Sequence, residues 1–111
     1  MPKLDGMDLD ITERPDDSGR AVLVVTGSVD LASRVRLLEA GHAALRRESC
    51  HGLVLDLQGV GFVDSTGVGA FVELAADAED RGATFEIRSP SARVQRLLEV
   101  TGLSETWAER T

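Results

Sequence analysis

Met7, Leu9 and Ile11 alternate with Asp8, Asp10 and Thr12, a period of two that predicts a strand buried on one face. RPDDSGR follows and supplies Pro, Asp and Gly for a turn. AVLVVTG, residues 21–27, is an unbroken apolar run, the pattern of a central strand covered on both faces, and it pairs with the first strand as an antiparallel hairpin. The period then becomes helical at Leu31, Val35, Leu38 and Leu45, with Ser33 as N-cap. GLVLDL, Gly52 to Leu57, predicts another buried strand. Val68, Phe71, Val72, Ala75 and Ala78 form the stripe of a second helix that Arg81 and Gly82 close. ATFEIRS is the last core strand. Ser89 as cap and Pro90 in the first position open a third helix, with Val94, Leu97, Leu98 and Thr101 inside and Gly102 at its end. A short tail carries Trp107.

The expected order is β-β-α-β-α-β-α, and strands that alternate with helices imply parallel crossovers. The fold class is therefore α/β: a small mixed β-sheet of about four strands with helices packed against one or both faces. Residues 1–111 form one domain in this reading, with a core of about 7–107. Loops after the carboxyl ends of parallel strands gather on one rim, where ligands and partners are met. Two loops fall there, GSVDLAS (27–33) and QGVGFVDSTG (58–67).

Composition narrows the function. A net charge of −7 and few aromatics (three Phe, one Trp, no Tyr) disfavour nucleic acid and acidic membrane surfaces. A protein partner with a basic patch fits better. The single cysteine, Cys50, excludes an internal disulfide and a multi-thiolate metal site. MPKLDGMDLDI has no apolar leader-like run, and no stretch reaches the length of a membrane span. The expected location is cytoplasmic, with no cofactor implied.

The junction FVDSTGVGAF, residues 62–71, holds an acid, two hydroxyls and two glycines between a strand and a helix. Either Asp64 or Ser65 caps the helix and the glycines serve the turn, or a hydroxyl is placed there to be modified. An aspartic-protease triplet does not fit, because two residues separate Asp64 from Gly67. A phosphate-cradling loop does not fit either, since no Lys follows the glycines. Catalysis by Ser65 needs a base. His42 falls on the stripe of the first helix, among its leucines or at their edge, and His51 lies beside a turn next to Cys50. These residues form no catalytic set, and the chain is not expected to be an enzyme. Asp16, Asp17, Asp77, Glu79 and Asp80 read as solvated surface. Arg46 and Arg47 read as cations at a helix end, where the dipole favours them.

VTGSVDLAS, GLVLDLQGVGFVDSTGVGAFVEL and SARVQRLLEVTGL resemble the STAS domain, and more narrowly the bacterial anti-sigma factor antagonists, from Leu9 to about Trp107. The resemblance implies a STAS-type fold and phosphorylation of Ser65, the first hydroxyl of the motif, with Thr66 as the alternative. It implies a partner-binding rim of Asp30, Asp64, Ser65, Thr66, Gly67 and Gly69, in which Gly27, Val29 and Asp30 match the family's Gly-x-Leu/Val-Asp motif. The implied partners are an anti-sigma factor with a histidine-kinase-like ATPase fold that acts as a serine kinase, and a serine phosphatase. Binding of the unphosphorylated form would free a sigma factor. Thr66 stands where Ser is commoner and Ser28 where many members carry Glu, differences that bear on partner identity. A non-switching scaffold subunit of a stressosome-like assembly and a nucleotide- or small-ligand-binding module are the rival readings. Gly59, Gly61, Gly67 and Gly69 are expected to let a kinase cleft approach closely. Val60 and Phe62 either offer apolar contact area on the rim or pack in the core.

Overall fold

Alternate residues of the central strand decide how the layers form. Leu53, Leu55 and Leu57 point into one continuous core with Leu37, Ala44 and Leu45, with Ala70, Phe71, Leu74 and Ala78, and with Val94 and Leu98. Val22 and Val54, of opposite parity, are buried outside that cluster. On their side the sheet carries the ion pairs Arg14–Asp56 (3.6 Å), Arg20–Glu86 (2.9 Å) and Arg88–Glu86 (3.6 Å). Such side chains cover apolar strand surface with their aliphatic stems while their charges stay solvated. Leucine and phenylalanine side chains buried to this degree contribute roughly 1.5–3 kcal/mol each.

The computed structural model describes residues 9–102. They form β1 (Leu9–Pro15), β2 (Arg20–Val29), α1 (Arg34–Leu45), β3 (Gly52–Val63), α2 (Ser65–Asp80), β4 (Thr84–Arg88) and α3 (Ala92–Thr101). The sheet order is β1-β2-β3-β4. β1 and β2 pair antiparallel, as the hairpin reading requires, whereas β2–β3 and β3–β4 are parallel and crossed over by α1 and α2. The α/β class and the order of elements are as expected. Met7, the tail with Trp107, and the outer limits of the expected core lie outside the described residues. Among the described residues no helix is long and apolar enough to cross a membrane.

Five local expectations are corrected. β3 does not stop at Leu57 but runs to Val63, because its pairing with β2 resumes after register shifts, through Thr26↔Gly59, Gly27↔Val60, Ser28↔Phe62 and Val29↔Val63. In α1 the helical period holds but its phase differs: Leu37, Gly41, Ala44 and Leu45 are buried, while Leu31 is 69% and Val35 51% exposed. The phase is set by contact with α2. A Cβ on Gly41 would lie 2.6 Å from Leu74 Cδ2, so α1 turns its glycine towards that leucine. The same packing buries Leu74 of α2 and leaves Val72 exposed. In α3 the N-cap is Ser91, not Ser89, and Pro90 lies ahead of the helix. Ser91 has the extended backbone a cap needs and accepts from Val94 N–H (3.4 Å), whereas Ser89 sits at φ 52°. The Ser91 hydroxyl also donates to Val60 C=O (2.6 Å), which ties α3 to β3. Thr101 is exposed, so Val94 and Leu98 form the buried face.

The helices are also joined by charge. His42 lies at the edge of the core, with Nδ1 2.6 Å from Asp77 and Nε2 3.2 Å from Glu73, and Arg81 donates to Asp77 from the other side (2.8 Å). Asp77, expected as solvated surface, is thus half-buried in an ion-pair cluster. With both ring nitrogens facing carboxylates, the doubly protonated imidazolium satisfies both contacts at once. The hydrogen bond to Asp77 raises the His42 pKa above 6.5; burial opposes it, and the bond to Glu73 adds to it. Burial alone would raise the Asp77 carboxyl, but the hydrogen bonds from His42 and Arg81 outweigh it and leave it below 3.8. A raised histidine stabilises the fold fully below its unfolded value, and that stability is lost as pH rises through the folded value. A depressed carboxylate contributes above its unfolded value and loses its share as pH falls. His42→Gln is therefore expected to lower the thermal midpoint clearly at about pH 6 and less at about pH 9. A difference independent of pH would show that the ring contributes by packing alone.

Candidate functional site

β2 and β3 end together. Val29 pairs with Val63, and Asp64 N–H donates to Val29 C=O (3.1 Å). Adjacent strands lie about 4.8 Å apart, so Asp30 and Asp64, the next residues of each chain segment, emerge side by side. Two short connections leave the sheet here, one into α1 and one into α2.

Asp30 and Ser33 hold the first connection by reciprocal hydrogen bonds. Asp30 N–H donates to Ser33 Oγ (3.0 Å), and Ser33 N–H donates to Asp30 Oδ1 (2.9 Å). The Ser33 hydroxyl donates to Ser28 C=O (2.8 Å). Ser33 does occupy the N-cap position, but its side chain makes no capping bond to α1 because it is turned back to the strand. Asp30 is half-buried on the rim with its carboxylate engaged in this clasp.

The second connection is a single residue. Asp64 has the extended backbone of an N-cap (φ −106°, ψ −176°) and its Oδ1 accepts Gly67 N–H (2.9 Å). Of the two capping candidates, Asp64 is therefore the cap. The Thr66 hydroxyl donates to the same oxygen at 2.5 Å. That bond, with the Gly67 and Thr66 amides behind it, holds the Asp64 carboxyl below the ordinary carboxylate range against the opposing effect of desolvation. Ser65 is the exposed first residue of α2, and its hydroxyl makes no hydrogen bond among the described residues. The two hydroxyls of the motif thus differ: one is committed to the cap, the other faces solvent.

The glycines divide as well. Gly67 is buried, and a Cβ there would lie 2.5 Å from Val63 Cγ2 and 2.7 Å from Val29 C=O. It does not open the site to an approaching partner; it lets the first turn of α2 cross the ends of β2 and β3. A Cβ on Gly69 or Gly61 would have no neighbour within 4 Å, so those positions are open. Gly59 is exposed but packs against Thr26. Val60 is fully buried, whereas Phe62 is 37% exposed beside the junction.

Sequence reasoning missed Arg34. Its Nε donates to Thr66 C=O (3.0 Å), and Nη2 lies 3.8 Å from Glu73. The available signal is a cation at the start of a helix, where the dipole disfavours it and a partner from another element is needed. Among the described residues no group of three or more His, Cys, Asp or Glu could hold a metal ion. A cavity of about 320 Å³ lies at the other end of β2 and β3, lined by Glu13, Asp16, Arg20, Arg47 and Cys50 among others. Its arginines are already paired, Arg20 with Asp16 and Arg47 with Glu13, and it does not reach Ser65.

Comparison with known proteins places this geometry. The family described as "Mlab, STAS domain" matches residues 13–107, and the chain belongs to the STAS domain family. Within it the chain groups with the anti-sigma factor antagonists. An anti-sigma-B factor antagonist of Listeria monocytogenes is 32% identical over 101 residues, covering 89% of this chain and 86% of that protein. One from Staphylococcus epidermidis is 32% identical over 81 residues, covering 73% and 74%. The crystal structure of an anti-sigma factor antagonist from Mycobacterium paratuberculosis is similar at 27% identity and a TM-score of 0.77, over 94% of this chain and 87% of that one. The antagonist SpoIIAA in its unphosphorylated form shares the fold at a TM-score of 0.78 and 17% identity, over 92% and 88%.

The two inner glycines of the motif should respond oppositely to alanine. Gly67→Ala forces a methyl into occupied space and is expected to cost about 1–3 kcal/mol. Gly69→Ala adds a methyl in open space within a helix and is expected to be neutral or to gain roughly 0.5–1 kcal/mol. Urea unfolding of the pair checks this, and equal stabilities would refute the assigned packing.

Proposed function

We propose that the chain is an anti-sigma factor antagonist whose rim docks an anti-sigma factor while Ser65 is unmodified, and that phosphorylation of Ser65 ends the complex. The observation that carries this reading is the split between the two hydroxyls: Ser65 is exposed at the start of α2, while Thr66 is held on Asp64. The names of the Listeria and Staphylococcus relatives support the partner class. Phe62 beside the junction and Leu31 at 69% exposure offer the partner apolar area, and a chain of net charge −7 favours a basic counter-surface.

The kinase is the anti-sigma factor itself, with a histidine-kinase-like ATPase fold. Ser65 Oγ bonds to the γ-phosphorus of ATP, the bond to the ADP oxygen breaks, and the serine proton leaves. Asp64 is not the base for that proton, because Thr66 and Gly67 hold its carboxylate in the cap. The base comes from the kinase. A serine phosphatase reverses the step, and the cycle takes place in the cytoplasm without contact to nucleic acid or membrane.

Electrostatics makes one phosphate sufficient. Phosphoserine adds about −1.5 to −2 charge. At a helix start, an anion is favoured by roughly 0.3–1 kcal/mol, so the domain tolerates it. On the docking side the same dianion must lose water in an interface that fits an unmodified hydroxyl beside the exposed Phe62, a cost that arises only in the complex. A net loss of about 3 kcal/mol weakens binding more than a hundredfold.

Ser65→Ala is expected to fold, bind the anti-sigma factor and take no phosphate when mixed with it and ATP. A phosphate found on Thr66 by mass spectrometry would overturn the assignment. Ser65→Asp is expected to weaken binding at least about tenfold while moving the thermal midpoint by less than about 4 °C, a shift that corresponds to under about 1 kcal/mol. A larger fall would mean that the substitution damages the fold. Asp30→Asn keeps the oxygen that accepts from Ser33 and removes only the charge, so a change in affinity or phosphorylation without a change in midpoint is expected. Full activity in both assays would remove Asp30 from the rim.

A further inference from the structure

Arg34 begins α1 with a positive charge at the end of the helix where the dipole opposes it. Its present partners hold it weakly. Thr66 C=O is a neutral acceptor at 3.0 Å, and Glu73, half-exposed, is 3.8 Å from Nη2. Exposed pairs of that kind contribute little, because solvent screens them. Glu73 also faces His42 Nε2 at 3.2 Å and keeps that contact if the guanidinium moves.

The placement of Arg34 relative to Ser65 is specific. Thr66, whose carbonyl it holds, is the next residue after Ser65. Gly69 is four residues from Ser65, three from Thr66 and four from Glu73, so by helical spacing it lies between the row of Ser65 and the row that Arg34 touches. A side chain at position 69 would stand in that path. Glycine leaves it clear, with nothing within 4 Å of the place a Cβ would take. Arg36, two residues along α1, does not share a face with Arg34. The carboxylates nearby, Asp30 and Asp64, are engaged through Oδ1 by Ser33 and by Thr66 and Gly67, and the contacts of Arg34 are with Thr66 and Glu73 instead.

We propose that Arg34 receives the phosphate of modified Ser65, exchanging Thr66 C=O and Glu73 for a bidentate pair that crosses the open side of Gly69. This rests on the reading of Ser65 as the modified residue. A guanidinium fork matches a phosphate in geometry and carries charge-assisted hydrogen bonds about twice as strong as neutral ones. The modification therefore rewires the start of α1 to the start of α2, as well as adding charge to the rim. Arg34 is a positioning residue here: it fixes where the phosphate points, and a phosphatase must break the pair to reach it.

The test uses the full chain with phosphoserine placed at position 65 during translation, so that no kinase is involved. The phosphate is titrated by phosphorus NMR in the wild-type, Arg34→Gln and Arg34→Lys backgrounds. The second ionisation is expected roughly one unit lower in the wild type than in Arg34→Gln, with Arg34→Lys between them. Identical titrations in wild type and Arg34→Gln overturn the proposal. Should Arg34→Gln fail to fold, the wild-type phosphoprotein decides alone. Its Arg34 Nε–H resonance must follow the phosphate titration, and a resonance that ignores it overturns the pairing. Failure of the anti-sigma factor kinase to modify Ser65 in the unmodified chain would overturn the switch reading separately, with the pairing still judged by the titration.

Discussion

The hydrogen bond from Asp64 N–H to Val29 C=O is where the rest of the structure meets. It is the last rung of the parallel β2–β3 ladder, and it exists only because that ladder recovers its register after two irregularities. Without it, the first turn of α2 would not lie over the strand ends, Gly67 would not be pressed against Val29 and Val63, and Asp30 and Asp64 would not emerge together. The rim is a product of strand pairing more than of loop conformation.

That origin explains how the proposed regulatory site coexists with a stable domain. Ser65 is separated from the core by a cap that is complete without it: Asp64 satisfies Gly67 N–H and takes the Thr66 hydroxyl. The Ser65 hydroxyl itself supports nothing beneath it. Conversely, the residues around it are held firmly, by the Asp30–Ser33 clasp on one side and by the His42–Asp77–Arg81 cluster between α1 and α2 on the other. A rigid frame with one uncommitted side chain suits a partner that must detect a single group.

Much of this was legible in the residues. Period-two and period-3.6 patterns together with unbroken apolar runs located every described element and the parallel crossovers, because each strand or helix buries its own apolar residues locally. The strand-to-helix junction stood out by composition. What the pattern could not carry was set by contacts between elements. The phase of α1 depends on Gly41 meeting Leu74, and the extension of β3 through Gly59 and Gly61 depends on pairing with β2. The cap of α3 depends on Ser91 bonding Val60 C=O on a distant strand. Gly67 and Gly69 look alike in a motif and separate only when neighbouring atoms are placed. Arg34 reads as an ordinary surface cation until Thr66 is seen against it.

The unlike surroundings of those two glycines bear on how such a chain can drift over generations. Gly67 is constrained from within, so any descendant that replaces it loses stability, whatever it binds. Gly69 is constrained only by what comes to it from outside or passes over it. A descendant released from the proposed switching role would be free to fill position 69 first, and the residue found there would record the loss before the fold showed any sign of it.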